Sequence, residues 1–258
     1  MCVGLRAESQ AKTRGVRMGL WSSIKKTVKK VAKKAWRAVK AVVRVVVRIV
    51  VAAVTAAIHV FDLLLGFLTW PPKKLRVQIF ILSGRTTGSV VGSSVLTPAI
   101  DFAKNTFKDK LNVKLLPYSK NMIEIIKEPA PAGALDAGCS GGGAWSDEYL
   151  GEAGEYFADH LAGWNAVPVS GTFPVTVFVV QNVRGKRGCS MGPLSDYITI
   201  DVDGASGDTT LAHEIGHACN LWHSKTQSNL MFKNFNRGNG VKWFQKNVFR
   251  NSRHVTYW

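Results

Sequence analysis

The chain has 258 residues, of which 46% are hydrophobic, and a formal net charge of +17. This length suits one domain of ordinary size with an appendage, and the apolar content excludes a chain too polar to bury a core. The charge is unevenly distributed, because residues 1–74 carry a net +14 and residues 75–258 only +3. The basic character therefore belongs to an N-terminal segment, and the main domain is close to neutral.

The N-terminal segment begins with a polar, aperiodic stretch and continues as a helical pattern. We expect residues 1–17 to be a disordered leader, unless translation begins at Met18. From residue 18 to residue 70 the spacing predicts a long helix with a cationic stripe opposite an apolar stripe. The cations are Lys26, Lys30, Lys33, Arg37, Lys40, Arg44 and Arg48, and the apolar residues are Ile24, Val28, Val31, Ala35, Val39, Val42 and Val46.

The second half of this helix is an apolar run of 21 residues, 49–69, whose only ionisable residues are His59 and Asp62. Such a run is long enough to span a bilayer core, and it can also lie flat on an anionic membrane surface. We therefore expect the protein to be membrane-associated or secreted. Packing on another protein, or on the chain's own main domain, remains open, whereas the long apolar runs argue against a nucleic acid partner. Two prolines then end the helix, and residues 71–74 are predicted to be a linker.

The main domain alternates between strand-like and helix-like patterns. Buried strands are predicted at residues 75–82, 175–180 and 197–202, and a strand or a hairpin at residues 113–126. A last helix is predicted at residues 241–250. The domain is therefore expected to mix strands and helices.

One helix can be placed more closely from its start and its inward face. Thr97 suits the cap of this helix and Pro98 its first position. The helix is predicted to run to Leu111, because apolar residues recur at helical spacing. The inward residues are Ile100, Ala103, Phe107 and Leu111.

A further helix is predicted within residues 147–162, where Glu148, Glu152, Glu155 and Asp159 would form an acidic stripe. We interpret the stripe as a solvated face, and docking of the cationic helix is the alternative. Cysteines lie in glycine-rich loops on either side of the strand at residue 175, at Cys139 and Cys189. A disulfide between them would fit a secreted or periplasmic domain, although the sequence leaves the pairing open.

The most informative part of the chain is the run from His213 to His223, which contains three histidines and one carboxylate. His213 and His217 are four residues apart, so on a helix capped by Asp208 or Thr209 both rings point from one face towards one metal ion. Glu214 follows the first histidine and suits a general base for a metal-activated water molecule.

His223 is too far along to join on the same straight helix, so the chain must turn sharply between His217 and His223. Asn220 lies where this turn should fall. Cys219 lies two residues beyond His217, so it should point away from the metal and be buried.

This run resembles the extended zinc motif of the metzincin metallopeptidases, H-E-x-x-H-x-x-G-x-x-H, which a methionine turn follows. Asn220 replaces the usual glycine, and asparagine is the next residue to adopt the left-handed conformation that this position needs. Met231 is placed like the methionine of the turn, and Lys233 stands where some metzincins have an additional tyrosine ligand. The resemblance implies one Zn²⁺ held by His213, His217 and His223, with water as the fourth ligand.

The resemblance also implies the fold class, α+β, with a mixed twisted sheet, an active-site helix and a C-terminal helix following the long N-terminal helix. The expected function is a zinc-dependent endopeptidase that acts on a protein or peptide and is associated with an anionic membrane through its N-terminal helix. The alternative is a membrane-active toxin or secreted effector that carries the peptidase as cargo. An inactive homologue is disfavoured because Glu214 is present.

Overall fold

The computed structural model describes residues 25–40, 42–43, 46–47, 49–50, 53, 71–139, 151–163, 173–192 and 195–257. The chain divides into two compact units, Met1–Val46 and Val47–Trp258. The predicted leader, most of the apolar run 49–69 and the start of the predicted helix 147–162 lie outside the described residues.

The N-terminal unit contains a helix over residues 25–40, as the spacing predicts. Its apolar stripe is exposed, with exposed fractions of 61% for Val28, 61% for Val31 and 52% for Val39. Among the described residues, no helix combines the length and the apolar character needed to cross a membrane.

The second unit is built around one long strand, β1 (Lys73–Gly84), which is buried along most of its length. Along one edge, β1 pairs in parallel first with β3 (Val113–Pro117) and then with β4 (Ile123–Pro129). The alternative of a hairpin at residues 113–126 is therefore wrong, because the two segments follow each other along the same neighbour. A short strand, β2 (Gly88–Ser89), turns back on the end of β1.

The predicted linker is shorter than expected, because Lys73 and Lys74 are the first residues of β1. Lys73 is 1% exposed, yet its ammonium group donates a hydrogen bond of 2.9 Å to the Arg250 carbonyl and lies over the Tyr257 ring. A hydrogen-bonded cation can be buried in this way at acceptable cost. A lysine pair that looks like linker in the sequence therefore belongs to the sheet.

The other edge of β1 continues the sheet towards the zinc-motif helix. The order is β10 (Val255–Thr256), β1, β6 (Val175–Val179), β9 (Tyr197–Ile200) and β8 (Gly188–Ser190). Strands β6 and β9 are parallel to β1, whereas β10 and β8 run antiparallel to their neighbours. The result is a mixed sheet in an α+β fold, and it contains the strands predicted at residues 75–82, 175–180 and 197–202.

Helix α1 (Thr97–Thr106) follows β2 and continues as a π-helical turn, Phe107–Leu111. Its predicted inward residues Ile100, Ala103, Phe107 and Leu111 are all buried. Thr97 does not cap the helix, because a 3₁₀ turn (Ser93–Leu96) precedes it and its backbone is already helical. The helix ends at Asn112, whose φ of 53° is left-handed.

The remaining elements are α2 (Ala132–Leu135), β5 (Asp136–Ala137), α3 (Glu152–Asp159), β7 (Asn182–Val183), α4 (Val202–Ser206), α5 (Thr210–Ala218) and α6 (Trp243–Arg250). Helix α5 carries His213, Glu214 and His217, and α6 is the predicted last helix. The main core lies where the buried faces of the sheet, α1 and α5 meet. This packing fixes α5 against the sheet.

Candidate metal centre

The three histidines of the motif converge on one point. Helix α5 places His213 and His217 one turn apart, and the chain then reverses at Asn220, whose φ of 70° is left-handed. The Nε2 atom of His217 lies 3.1 Å from Nε2 of His213 and 3.1 Å from Nε2 of His223. The ligand atoms of all three lie within 4.8 Å of one another, so they form a group that can hold a metal ion.

Hydrogen bonds to backbone carbonyls set the protonation of two of these rings. Nδ1 of His213 lies 2.9 Å from the Leu230 carbonyl oxygen, and Nδ1 of His217 lies 2.7 Å from that of Leu221. Because a carbonyl oxygen only accepts, each Nδ1 carries the proton and each Nε2 offers its lone pair. This is the arrangement that a metal ligand requires.

Burial keeps the same rings neutral. It lowers the pKa of His213 to about 2, with the Arg237 charge as the next cause, and the pKa of His217 to about 4. The exposed His223 has a lowered pKa for the same first reason. All three rings are thus neutral at neutral pH and can bind a cation through the free ring nitrogen without first losing a proton.

Glu214 lies beside the histidines on α5 and is only 7% exposed. Burial raises the pKa of its carboxyl group to about 7, and the charges of Arg237 and Lys186 oppose this shift. A carboxyl group with a pKa near neutrality can both accept and release a proton, as a general base that later acts as an acid requires.

A glycine on the edge strand makes room for this carboxylate. A Cβ atom placed on Gly188 of β8 would lie 2.8 Å from Glu214 Cγ and 3.0 Å from its Oε1. These separations are shorter than an ordinary contact between carbon atoms, which is about 3.5–4.0 Å. The backbone of β8 therefore forms one wall of the Glu214 site, and only glycine fits there without a shift.

Met231 lies beneath the site, in the turn that follows the third histidine. It is 0% exposed, and a Cβ atom added to Gly216 of α5 would lie 2.6 Å from its Sδ atom. The Met231 amide donates a 2.9 Å hydrogen bond to Oδ1 of Asn229, and Asn229 Nδ2 donates one of 2.8 Å to Gln245. The turn is therefore fixed by α6, and it holds the Leu230 carbonyl against His213.

The cluster of His213, His217 and His223 opens onto a cleft of about 820 Å³. One wall is β8, the last strand of the sheet, which had no counterpart among the predicted strands. The disulfide between Cys139 and Cys189 also lines this wall. The cleft is also lined by Trp222 and by four residues that follow the methionine turn, namely Lys233, Asn234, Phe235 and Arg237.

Two further residues, Cys219 and His160, lie apart from this chemistry. Cys219 is a buried free thiol whose pKa burial raises to about 12, so it stays protonated and unreactive. His160 Nδ1 lies 2.8 Å from the carbonyl oxygen of Tyr156, within its own helical turn, and the ring packs against the Tyr156 ring.

Sequence reasoning missed several residues that shape the site. Gly188, Gly216, Asn229 and Gln245 act through close approach or through hydrogen bonds between distant segments. The signal for the two glycines is weak, because glycine is common in this chain. The Asn229–Gln245 pair has no local signal at all.

No protein-family model matches the sequence, and no curated protein matches it. Among solved structures, the chain is similar to metalloproteinase-II from Bacteroides fragilis, with a TM-score of 0.45 and 14% sequence identity over 67% of this chain and 51% of that chain. The chain thus spans about half the length of the protein that it matches. At this level of similarity, the function rests on the residues of the site itself.

Proposed function

We propose that this chain is a zinc-dependent endopeptidase of the metzincin type. The observation that carries the proposal is the convergence of the three Nε2 atoms beside Glu214, at the side of an open cleft. Three neutral imidazoles suit zinc well, because imidazole is a preferred ligand of this borderline-soft ion and a catalytic site keeps one position open. His213, His217 and His223 would hold the metal.

When bound, zinc supplies a Lewis acid that polarises the scissile carbonyl group and acidifies a water molecule. Glu214 would accept the proton of the attacking water, because it follows the first histidine on α5 and is the one carboxylate among the described residues that line the cleft. It then donates that proton to the leaving amine.

The edge strand supports binding of an extended peptide. Strand β8 pairs with β9 on one side, and its residues Gly188–Ser190 line the cleft. A substrate lying along β8 would add one more strand to the sheet, and the substrate backbone would then face the three histidines. This binding mode would place an internal, rather than a terminal, peptide bond at the metal site.

Cleavage of a mixture of synthetic peptides by the full chain tests the proposed activity. We expect cleavage with zinc, none after treatment with a chelator, and recovery when zinc is restored. Glu214→Gln should keep the bound zinc and lower kcat/KM by a factor on the order of 100 or more, because the proton acceptor is lost. The matched control, Glu152→Gln on the exposed start of α3, should cleave like the wild type. Full activity of Glu214→Gln would exclude the proposed mechanism.

We further propose that the N-terminal helix associates the enzyme with an anionic membrane. The support is the exposed apolar stripe at Val28, Val31 and Val39, with lysines and arginines at helical spacing along the same helix. An anionic surface attracts basic residues, and this attraction weakens as salt is added. Once the helix is at the surface, its apolar side chains can enter the interface. The alternative, a membrane-active effector with the peptidase as cargo, rests on the same stripe.

Sedimentation with vesicles of phosphatidylserine and phosphatidylcholine tests this second proposal. We expect the full chain to sediment with these vesicles at low salt, and Val31→Asp/Val39→Asp to remain in the supernatant with its peptidase activity intact. Leakage of a dye from the vesicles would favour the effector alternative. A wild-type chain that stays in the supernatant at low salt would exclude membrane association.

A further inference from the structure

The cleft beside the three histidines is strongly cationic, although the main domain as a whole is close to neutral. Four cations line it, namely Lys186, Arg187, Lys233 and Arg237, and Glu214 is the one carboxylate among the described lining residues. Since Glu214 serves as the proposed general base, the rest of the cleft offers positive charge alone. Such a surface attracts and retains negatively charged groups.

Arg237 is the buried member of this set. It is 8% exposed, and its Nε atom donates a 2.9 Å hydrogen bond to the Asn234 carbonyl oxygen. Its Nη1 atom is buried and has no hydrogen-bonding partner among the described residues. Leaving a buried charged donor without a partner is costly, so this position calls for an acceptor.

The guanidinium group is held in place for such an acceptor. The Phe235 ring lies 6.0 Å from the Arg237 guanidinium carbon and 4.4 Å from that of Arg187, so both groups gather around one aromatic side chain. Arginine presents several N–H groups in a planar fork that matches a carboxylate. Because Arg237 lines the cleft, a carboxylate bound there would meet this guanidinium group.

We propose that Arg237 is a specificity-determining residue that binds a carboxylate group of the substrate near the scissile bond. This inference rests on the proposed peptidase function, and it narrows the substrate class to peptides with an aspartate or glutamate beside the cleaved bond, or with a C-terminal carboxylate close to it. The exposed cations Lys186 and Lys233 attract such peptides, and the buried Arg237 discriminates between a carboxylate and its amide.

The test compares peptides that differ only by Asp against Asn, or Glu against Gln, on each side of the cleaved bond. The wild-type enzyme should favour the acidic peptide by about 10- to 100-fold in kcat/KM, the range expected for a charge-assisted hydrogen bond in a desolvated site. In Arg237→Gln this ratio should fall to about twofold or less. Arg237→Lys should retain an intermediate ratio, because it keeps the charge but loses the fork.

Lys233→Gln is the matched control, since it removes one positive charge from the exposed part of the same cleft. It should weaken association of all acidic peptides with a strong salt dependence, yet keep the ratio between acid and amide. Peptides with a free or an amidated C-terminus distinguish the two sources of the carboxylate. An equal loss of the ratio in Lys233→Gln would mean that overall charge, and not Arg237, selects the substrate.

Binding of the same peptides to Glu214→Gln, measured by calorimetry, separates this inference from the peptidase proposal. If the wild-type enzyme cleaves no peptide, but Glu214→Gln binds the acidic peptide at least ten times more tightly than its amide, the proposed activity is wrong and the carboxylate site stands. If peptides are cleaved and wild-type enzyme treats acid and amide alike within twofold, the carboxylate site is wrong and the activity stands. This wild-type comparison decides the matter even where an Arg237 variant fails to fold.

Discussion

Replacing Gly188 by alanine adds one methyl group at the point where the edge strand meets the proposed general base. The new Cβ atom would lie 2.8 Å from Cγ of Glu214 and 3.0 Å from Cγ2 of Thr210. To restore an ordinary contact of about 3.5 Å, the added Cβ atom and Glu214 Cγ must move apart by about 0.7 Å. Catalytic groups tolerate displacement of only about 0.5 Å, and 1 Å can reduce the rate about 100-fold.

We therefore expect Gly188→Ala to lower kcat/KM by about 10- to 100-fold and to cost about 1–3 kcal/mol of stability through overpacking. Zinc content should stay at the wild-type level, because the three atoms nearest to the added Cβ belong to Glu214 and Thr210 and not to the histidines. The assay combines peptide cleavage, metal analysis and thermal unfolding of the same preparation. Gly133→Ala is the control, since its added Cβ atom would make only an ordinary contact at 3.8 Å.

The outcome that refutes this reasoning is a Gly188→Ala enzyme with wild-type kcat/KM and full zinc content. It would mean either that β8 moves away freely or that the position of Glu214 does not limit catalysis. Loss of both zinc and activity would mean that Gly188 supports the metal site, and not the position of Glu214.

Three further predictions concern the turn, the buried carboxyl group and the disulfide. Asn220→Gly should retain stability and zinc, whereas Asn220→Val should lose about 1–2 kcal/mol in chemical denaturation, because the left-handed φ of 70° is unfavourable for a β-branched residue. In chelator-treated protein, burial raises the pKa of Glu214 from 4.5 to about 7, so the neutral form is favoured in the fold. The contribution of Glu214 to the free energy of unfolding is fully present below pH 4.5 and is lost as the pH rises through 7. In urea unfolding, the wild type should therefore lose roughly 3 kcal/mol of stability relative to Glu214→Gln across this window. Parallel pH profiles of the two proteins would contradict this prediction. Replacing Cys139 and Cys189 by serine opens a loop of 50 residues and should cost about 4 kcal/mol, measured as the free energy of unfolding without reductant; unchanged stability would show that the bridge adds nothing.

The motif was readable from the sequence because its chemistry is local. His213, Glu214 and His217 lie about one helical turn apart at most. The left-handed residue needed before His223 was identifiable at Asn220, because Asn220 stands where the resembled motif has glycine and asparagine tolerates that conformation. The strands β1, β6 and β9 were also predictable, because a buried parallel strand shows a continuous apolar run. Local pattern and final structure agree where the physical cause is local.

The features that were missed depend on contacts between distant segments. Strand β8 has only three residues, and nothing in Gly188–Ser190 marks it as an edge strand beside α5. The start of β1 was mistaken for linker because the burial of Lys73 depends on Arg250 and Tyr257, far along the chain. Likewise, the Nη1 atom of Arg237, which has no hydrogen-bonding partner among the described residues, becomes visible only when the cleft is assembled.

The central claim is that His213, His217 and His223 hold one catalytic zinc ion, and metal analysis of the full chain and its single His→Gln variants tests it most directly. The account predicts about one zinc per wild-type chain and a sharp loss in each of these variants, with peptide cleavage lost in parallel. His160→Gln, which replaces a histidine hydrogen-bonded within its own helical turn, should keep both zinc and activity. Full zinc occupancy in the His223 variant, or a wild-type chain that binds no zinc from a buffered solution, would contradict the claim.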